Sequence, residues 1–161
     1  QRSEAVVIEA LPLNQAMEAS LLGADDDQFL PSLLNLFSGE EIRVKIAAGA
    51  PHPKIVVHEL AHAGEPVFFV SNLRFVVQDH AAVLVQLQAD SRQGEAAVSQ
   101  HSITHLQFDI GKRASCRVFA DWSKDTAGHA FRLINAQVKE AASCQLASLS
   151  YGRSHNRKSV V

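Results

Sequence analysis

Four stretches of one design recur along the chain: Ile46-Ala-Ala-Gly-Ala50, Val77-Gln-Asp-His-Ala81, Ile110-Gly-Lys-Arg-Ala114 and Val138-Lys-Glu-Ala-Ala142. Each has a β-branched residue closing an apolar run, three turn-tolerant residues, and an alanine opening the next run. The alanines lie 31, 33 and 28 positions apart. A period in that range marks a stacked-repeat architecture, in which each unit covers the apolar face of its neighbour. In a chain rich in Val, Ile and Ala the five-residue pattern is cheap on its own. Its spacing and the alternation on either side of it carry the weight.

That alternation has a period of two from Gly39 onward. Ile42, Val44 and Ile46 alternate with charged residues, and Ile55-Val56-Val57 follow the first corner. Gly64-Glu65-Pro66 turns the chain into Val67 to Val70, then Leu73, Phe75 and Val77 alternate up to the second corner. Val83, Val85 and Leu87 follow it, and Asp90 to Glu95 is a polar loop. Thr104, Leu106, Phe108 and Ile110 lead to the third corner, and Cys116, Val118 and Ala120 leave it. After a loop from Trp122 to Gly128, Phe131 to Val138 lead to the fourth, and Cys144, Leu146 and Leu149 form the last strand. Each repeat therefore holds two strands, one on either side of its corner. Alanine suits a narrow edge where two sheets about 10 Å apart converge. The pattern predicts a mainly β chain folded as a right-handed, flattened parallel β-helix with two strands per coil. The rival is an antiparallel jelly roll of similar strand count, disfavoured because hairpin dipeptides of the Asn-Gly kind are missing.

Before Gly39 the period is helical. Leu13, Met17 and Leu21 space a first helix over Leu13 to Leu22, with Pro12 placed to open it and Gly23 to stop it. Asp25-Asp26-Asp27 offers an N-cap and negative charge to a second helix striped by Phe29, Leu30, Leu33, Leu34 and Phe37. Pro31 fits there only within the opening turn. The expected organisation is a helical segment over 1–39 and a β-helix core over 40–161, truncated at its C-terminal end. The chain opens on Gln1 and stops amid strand-like sequence, so a piece of a longer protein is expected.

A hydrophobic share of 47% with 20% charged residues describes a globular chain able to bury a core, and 161 residues make one domain. A net charge of -2 gives no electrostatic case for nucleic acid or an anionic membrane. No apolar run approaches the roughly 18 residues of a membrane span, nothing has the form of a signal peptide, and two cysteines suit a reducing compartment. A cytoplasmic protein is the expectation.

Cys116 and Cys144 each stand two positions after a corner alanine, with Val83 in that slot one unit earlier. Stacking would make the two sulfurs neighbours in an inward-facing ladder at a step of about 4.8 Å. Buried thiols acting as small hydrophobes are favoured over a soft-metal or redox pair, which needs solvent access. His58 and His62 are four apart, as are His101 and His105. On a strand that spacing is about 13 Å, too far for one ion, so solvated surface histidines are expected. His129 is a loop residue with no visible partner. Arg153, His155, Arg157 and Lys158 form a basic tail read as a solvated strand edge. A phosphate loop, a nucleophile elbow, a CxxC and an HExxH are all missing. No catalytic, cofactor-binding or metal residue is therefore nominated, and a non-enzyme is expected. The alternative is a metalloenzyme with three histidines meeting in the mouth of a cupin-like jelly roll.

Phe29-Leu-Pro-Ser-Leu-Leu-Asn35-Leu-Phe-Ser-Gly39, followed by Ile42-Arg-Val-Lys-Ile46, resembles the start of the core domain of the SufB/SufD family of iron–sulfur cluster assembly scaffolds. Pro53 to Val57, Leu73 to Val77 and Ala82 to Leu87 look similar to that family's first coils, and His101 to Thr104 with Gly111 to Ala114 fit later ones. The likeness rests on spaced apolar positions across most of the chain. It leans to the SufD branch, since SufB's extra cysteine-bearing segments are not seen. It implies a right-handed parallel β-helix and a scaffolding role with a SufB-like scaffold and the SufC-like ATPase. The family's functional cysteine and histidine lie beyond the matched region, so the resemblance carries no site residue here, and an iron–sulfur cluster is implied only for the full complex. A β-helix ending partway would leave an open coil end and invite self-association.

Overall fold

The four corners are one turn repeated. A computed structural model of the chain describes residues 5–12, 39–60, 68–90, 101–122, 129–149 and 157–160. In each corner the alanine N–H donates to the carbonyl three residues back: Ala50 to Ala47, Ala81 to Gln78, Ala114 to Gly111 and Ala142 to Lys139, at 3.1–3.2 Å. The third residue of each turn has positive φ: Gly49 at 69°, His80 at 62°, Arg113 at 54° and Ala141 at 55°. A single left-handed residue at that place is the geometry of a type II turn. Corners also bond to one another. Gln78, Gly111 and Lys139 each donate to the last strand residue of the preceding unit, namely Ile46, Val77 and Ile110. His80 and Arg113 donate forward to Lys112 and Glu140.

Ten strands run between and beyond these corners: β1 (Val6–Pro12), β2 (Glu40–Ile46), β3 (Lys54–Leu60), β4 (Phe68–Val77), β5 (Ala82–Asp90), β6 (His101–Ile110), β7 (Ser115–Asp121), β8 (His129–Val138), β9 (Ser143–Leu149) and β10 (Arg157–Val160). They form a six-stranded sheet A in the order β1-β2-β4-β6-β8-β10 and a four-stranded sheet B in the order β3-β5-β7-β9. From β2 onward consecutive strands alternate between the sheets. Every strand pair is parallel except β1–β2. The protein is mainly β, and its parallel pairing is not that of an antiparallel jelly roll, since parallel strands cannot be joined by hairpins. Phe68–Val70 and Leu73–Val77, expected in separate runs, belong to the one strand β4, and Val67 lies outside the described residues.

The inward faces stack in register. Val44, Phe75, Phe108 and Ala136 form one column of sheet A, and Ile46, Val77, Ile110 and Val138 another. Phe75 and Phe108, both fully buried, stack with ring centroids 5.0 Å apart and planes 9° from parallel. Ile55, Val85, Val118 and Leu146 face them from sheet B. Ala81 and Ala114 are buried where the sheets converge, and Ala50 and Ala142 pack against the same core.

The N-terminal part differs from expectation where it is described. Val6–Pro12 is a strand, paired antiparallel to β2 from Val6 opposite Ile46 to Pro12 opposite Glu40. Pro12 therefore closes a strand rather than opening a helix. It sits on the edge of sheet A, where a missing N–H removes no ladder bond. The helices expected over Leu13–Leu22 and Phe29–Phe37, and the Asp25–Asp27 cap, lie outside the described residues. Among the described residues no helix is long and apolar enough to cross a membrane.

At Gly111 two corners approach closely. A Cβ there would lie 2.5 Å from Asp79 Oδ1, 2.7 Å from Asp79 N and 2.8 Å from Gln78 C. Gly111→Ala must push two corner backbones apart and is expected to cost about 1–3 kcal/mol, read as a lowered urea midpoint. Exposed Ala141 adopts a conformation that suits glycine, so Ala141→Gly should stabilise the chain by roughly 0.5–1 kcal/mol, read as a raised urea midpoint.

Candidate functional site

The outer face of sheet A carries polar side chains in register. Arg43, Arg74, Gln107 and Asn135 form one column, and Lys45, Val76, Asp109 and Gln137 the next. The third holds Asn72, His105 and Leu133, all buried although they point away from the intersheet core. Glu41 is buried as well, 4% exposed, with its carboxylate held by Arg43 at 2.6 Å and by Arg74 at 3.9 Å. Arg74 reaches across to Asp109 in the next column, its Nε donating at 2.7 Å and its second nitrogen lying 2.6 Å from the same oxygen. A buried carboxylate is tolerated only when paired in this way.

His105 sits at the centre, 1% exposed. Gln107 Nε2 lies 3.3 Å from its Nδ1, and the Asn135 amide nitrogen 3.5 Å from its Nε2. Gln107 Nε2 also donates to Asn72 Oδ1 at 3.2 Å. A neutral imidazole accepts at one nitrogen only. With Nδ1 accepting from Gln107, Nε2 bears the proton. Turning the Asn135 amide over presents Oδ1 to that proton and satisfies an oxygen that otherwise finds no partner among the described residues. Burial lowers the His105 pKa to about 4, with the Arg74 charge adding to the effect. The ring is therefore neutral at physiological pH and serves as a fixed donor and acceptor, not as a proton carrier.

Sequence reading places His105 outward, correctly, and leaves it solvated, incorrectly. Its burial is a tertiary effect that a period of two does not register. His58, on β3, is exposed and pairs in register with Gln88. His101 and His129 are register partners on β6 and β8, so His129 belongs to a strand and not to a loop. His62, Arg153 and His155 lie outside the described residues, while Arg157 and Lys158 open β10 against β8. Among the described residues no group of three or more His, Cys, Asp or Glu side chains could hold a metal ion.

Two further features lie between the sheets. A mostly apolar cavity of about 210 Å³ opens among Ile42, Leu73, Leu106, Val57, Leu87 and Trp122, with the hydroxyls of Ser71 and Thr104 on its wall. Ser71 Oγ donates to Thr104 Oγ1 at 3.2 Å. Beside it the guanidinium of buried Arg132, in register with Thr104, stacks over Trp122 at 4.1 Å from the ring centroid. The sequence reading expects Trp122 only as the start of a loop and nominates no role for Arg132. The second feature is the thiol pair. Val83, Cys116 and Cys144 are successive register partners, as the repeat requires. Cys116 is fully buried and Cys144 partly so. The Cys116 S–H donates to Cys144 and lowers the Cys144 pKa to about 7 against an opposing effect of burial. Cys116 itself is pushed up by holding its proton in that bond, then by burial.

Compared with known protein families, curated proteins and solved structures, the chain matches none.

The sign of the pH effect follows from the His105 shift. Its folded value lies below the unfolded 6.5, so below neutrality the unfolded chain takes up a proton that the folded one refuses. The stability tied to His105 is full above pH 6.5 and is lost as pH falls toward 4, by on the order of 3 kcal/mol in all. Urea unfolding of the native chain and of His105→Gln across that window should show a steeper acid loss for the native chain. Parallel curves would contradict the assignment.

Proposed function

We propose that this chain is a scaffold module of the SufD type, with its β-strands wound as a flattened right-handed parallel β-helix, acting through protein–protein contacts and not through catalysis. The observation that supports the reading is the strand order. Consecutive strands from β2 to β10 alternate between two sheets, and within each sheet these strands pair in parallel and in register. Such a stack fills its interior with side chains and offers long regular faces outside. The polar ladder around Arg43, Arg74 and Asp109 is one of these faces, rigid because its charges are already paired. On this reading the partners are a SufB-like scaffold and a SufC-like ATPase in the cytoplasm, and any iron–sulfur cluster belongs to the assembled complex.

Val138, Leu146 and Leu149 are 46%, 37% and 38% exposed on the last rungs, which supports self-association when partners are absent.

Co-expression tests the proposal. A tagged full-length protein should retain its SufB-like and SufC-like partners through size exclusion at moderate salt. If the partners assemble with each other and leave this protein behind, the scaffold reading fails. Sedimentation of the isolated chain should show dimers or larger species at high concentration, and a clean monomer would remove the open-end account.

A further inference from the structure

We propose that Cys116 and Cys144 form a reversible intramolecular disulfide, a covalent staple between two neighbouring rungs of sheet B. The inference is independent of the scaffold reading. The two residues are direct register partners on parallel strands β7 and β9. Neighbours of that kind have Cα atoms about 4.8 Å apart, inside the roughly 4.4–6.8 Å that a disulfide spans. Side chains in register on parallel strands project to the same face, so the two thiols are neighbours on one wall of sheet B. The bridge forms by rotation about side-chain bonds together with the small local approach of the two strands that a Cβ···Cβ distance of about 3.5–4.5 Å requires.

Access and order of reaction follow from the stack. β9 is the last strand of sheet B, so Cys144 has a neighbouring rung on one side among the described residues and is only half buried. Cys116 is sealed, at 0% exposure. Cys144 is therefore the attacking thiol and Cys116 the resolving one. With a low-molecular-weight disulfide such as oxidised glutathione, the Cys144 thiolate attacks one sulfur and expels the first glutathione thiolate. The Cys116 sulfur, losing its proton, then attacks Cys144 in the mixed disulfide and expels the second. Two protein thiols become one disulfide, and one glutathione disulfide becomes two glutathione thiols. The product carries no charge and no S–H, which suits a wall of Val83, Val118 and Leu146 better than a thiolate does.

The test uses the full chain incubated with oxidised glutathione at pH 8. The expected product is a single covalent chain, not cross-linked to another, lighter by about two hydrogens. It has no free thiol, a peptide linking the segments around Cys116 and Cys144, and a raised urea midpoint that dithiothreitol returns to its starting value. Cys144→Ser should leave Cys116 unmodified by glutathione in the folded state, while Cys116→Ser should trap a stable glutathione adduct on Cys144. Two unreacted thiols in the native chain, a lasting glutathione adduct on it, or disulfide-linked dimers would each overturn the proposal.

Discussion

The structure depends on the corner being superimposable on itself. A strand can leave one sheet and enter the other at the same height in every unit only if the connecting turn follows the same path each time. The last three turns do so throughout. All four share one left-handed residue and one alanine N–H closing the turn, while the first reaches sheet B with one extra residue, so that Ile55 and not Lys54 pairs with Val85. Once superimposed, their peptide groups bond from unit to unit, so the corner is itself a short ladder continuing both sheets. The cost falls on residue choice. Only Gly49 is a glycine among the four left-handed positions; His80, Arg113 and Ala141 hold the same conformation under strain on the order of 1 kcal/mol each. Stacking against neighbouring corners offsets it. Gly111, by contrast, needs space and not a special φ, because the corner below approaches too closely for a Cβ.

This constraint explains what could be read in advance. The five-residue corner repeats in composition because it repeats in shape, so the registers of Val83, Cys116 and Cys144 could be counted along the chain. Strands flanking the corners were legible for the same reason. The other ends of the strands have no repeating turn, and legibility fell there. Pro12 is misleading because the end of a seven-residue edge strand closing in proline has the same local signature as the opening turn of a helix. Its partner, β2, lies far along the chain, and nothing local announces the pairing.

The polar face shows a second limit. Alternation correctly divides Leu106, Phe108 and Ile110 from His105, Gln107 and Asp109. It says nothing about whether the outward set meets water. His105, Asn72 and Glu41 are as buried as the core, and neighbours two positions along the strand or on the diagonal of the next strand supply what burial demands: carboxamides for the imidazole, guanidinium groups for the carboxylate. In a parallel in-register sheet like charges fall opposite like charges unless the sequence varies from rung to rung. Arg43 opposite Arg74 is such a clash, relieved by Glu41 on one side and Asp109 on the other. The acids sit two positions along the strand from the column they neutralise, a diagonal arrangement that a column-by-column comparison overlooks.

In a stack of this kind a residue's environment is set by the unit beyond it. Ile110 and Val138 occupy one column, yet Ile110 is 1% exposed and Val138 46%. β10 pairs with β8 only from Phe131 to Ile134, so the corner end of β8 has no described rung beyond it. The aromatic filling also stops there, since Phe75 and Phe108 are followed by Ala136. Each rung thus gains most of its apolar burial from the next, the nearest-neighbour pattern of repeat proteins. Cys116 and Cys144 inherit that gradient. They are identical residues in identical slots, and the sealed and the accessible thiol differ only by one step along the stack. Chemistry at this pair is consequently a property of position: covering β9 with a further strand, from a partner or a second copy, would make Cys144 as inert as Cys116.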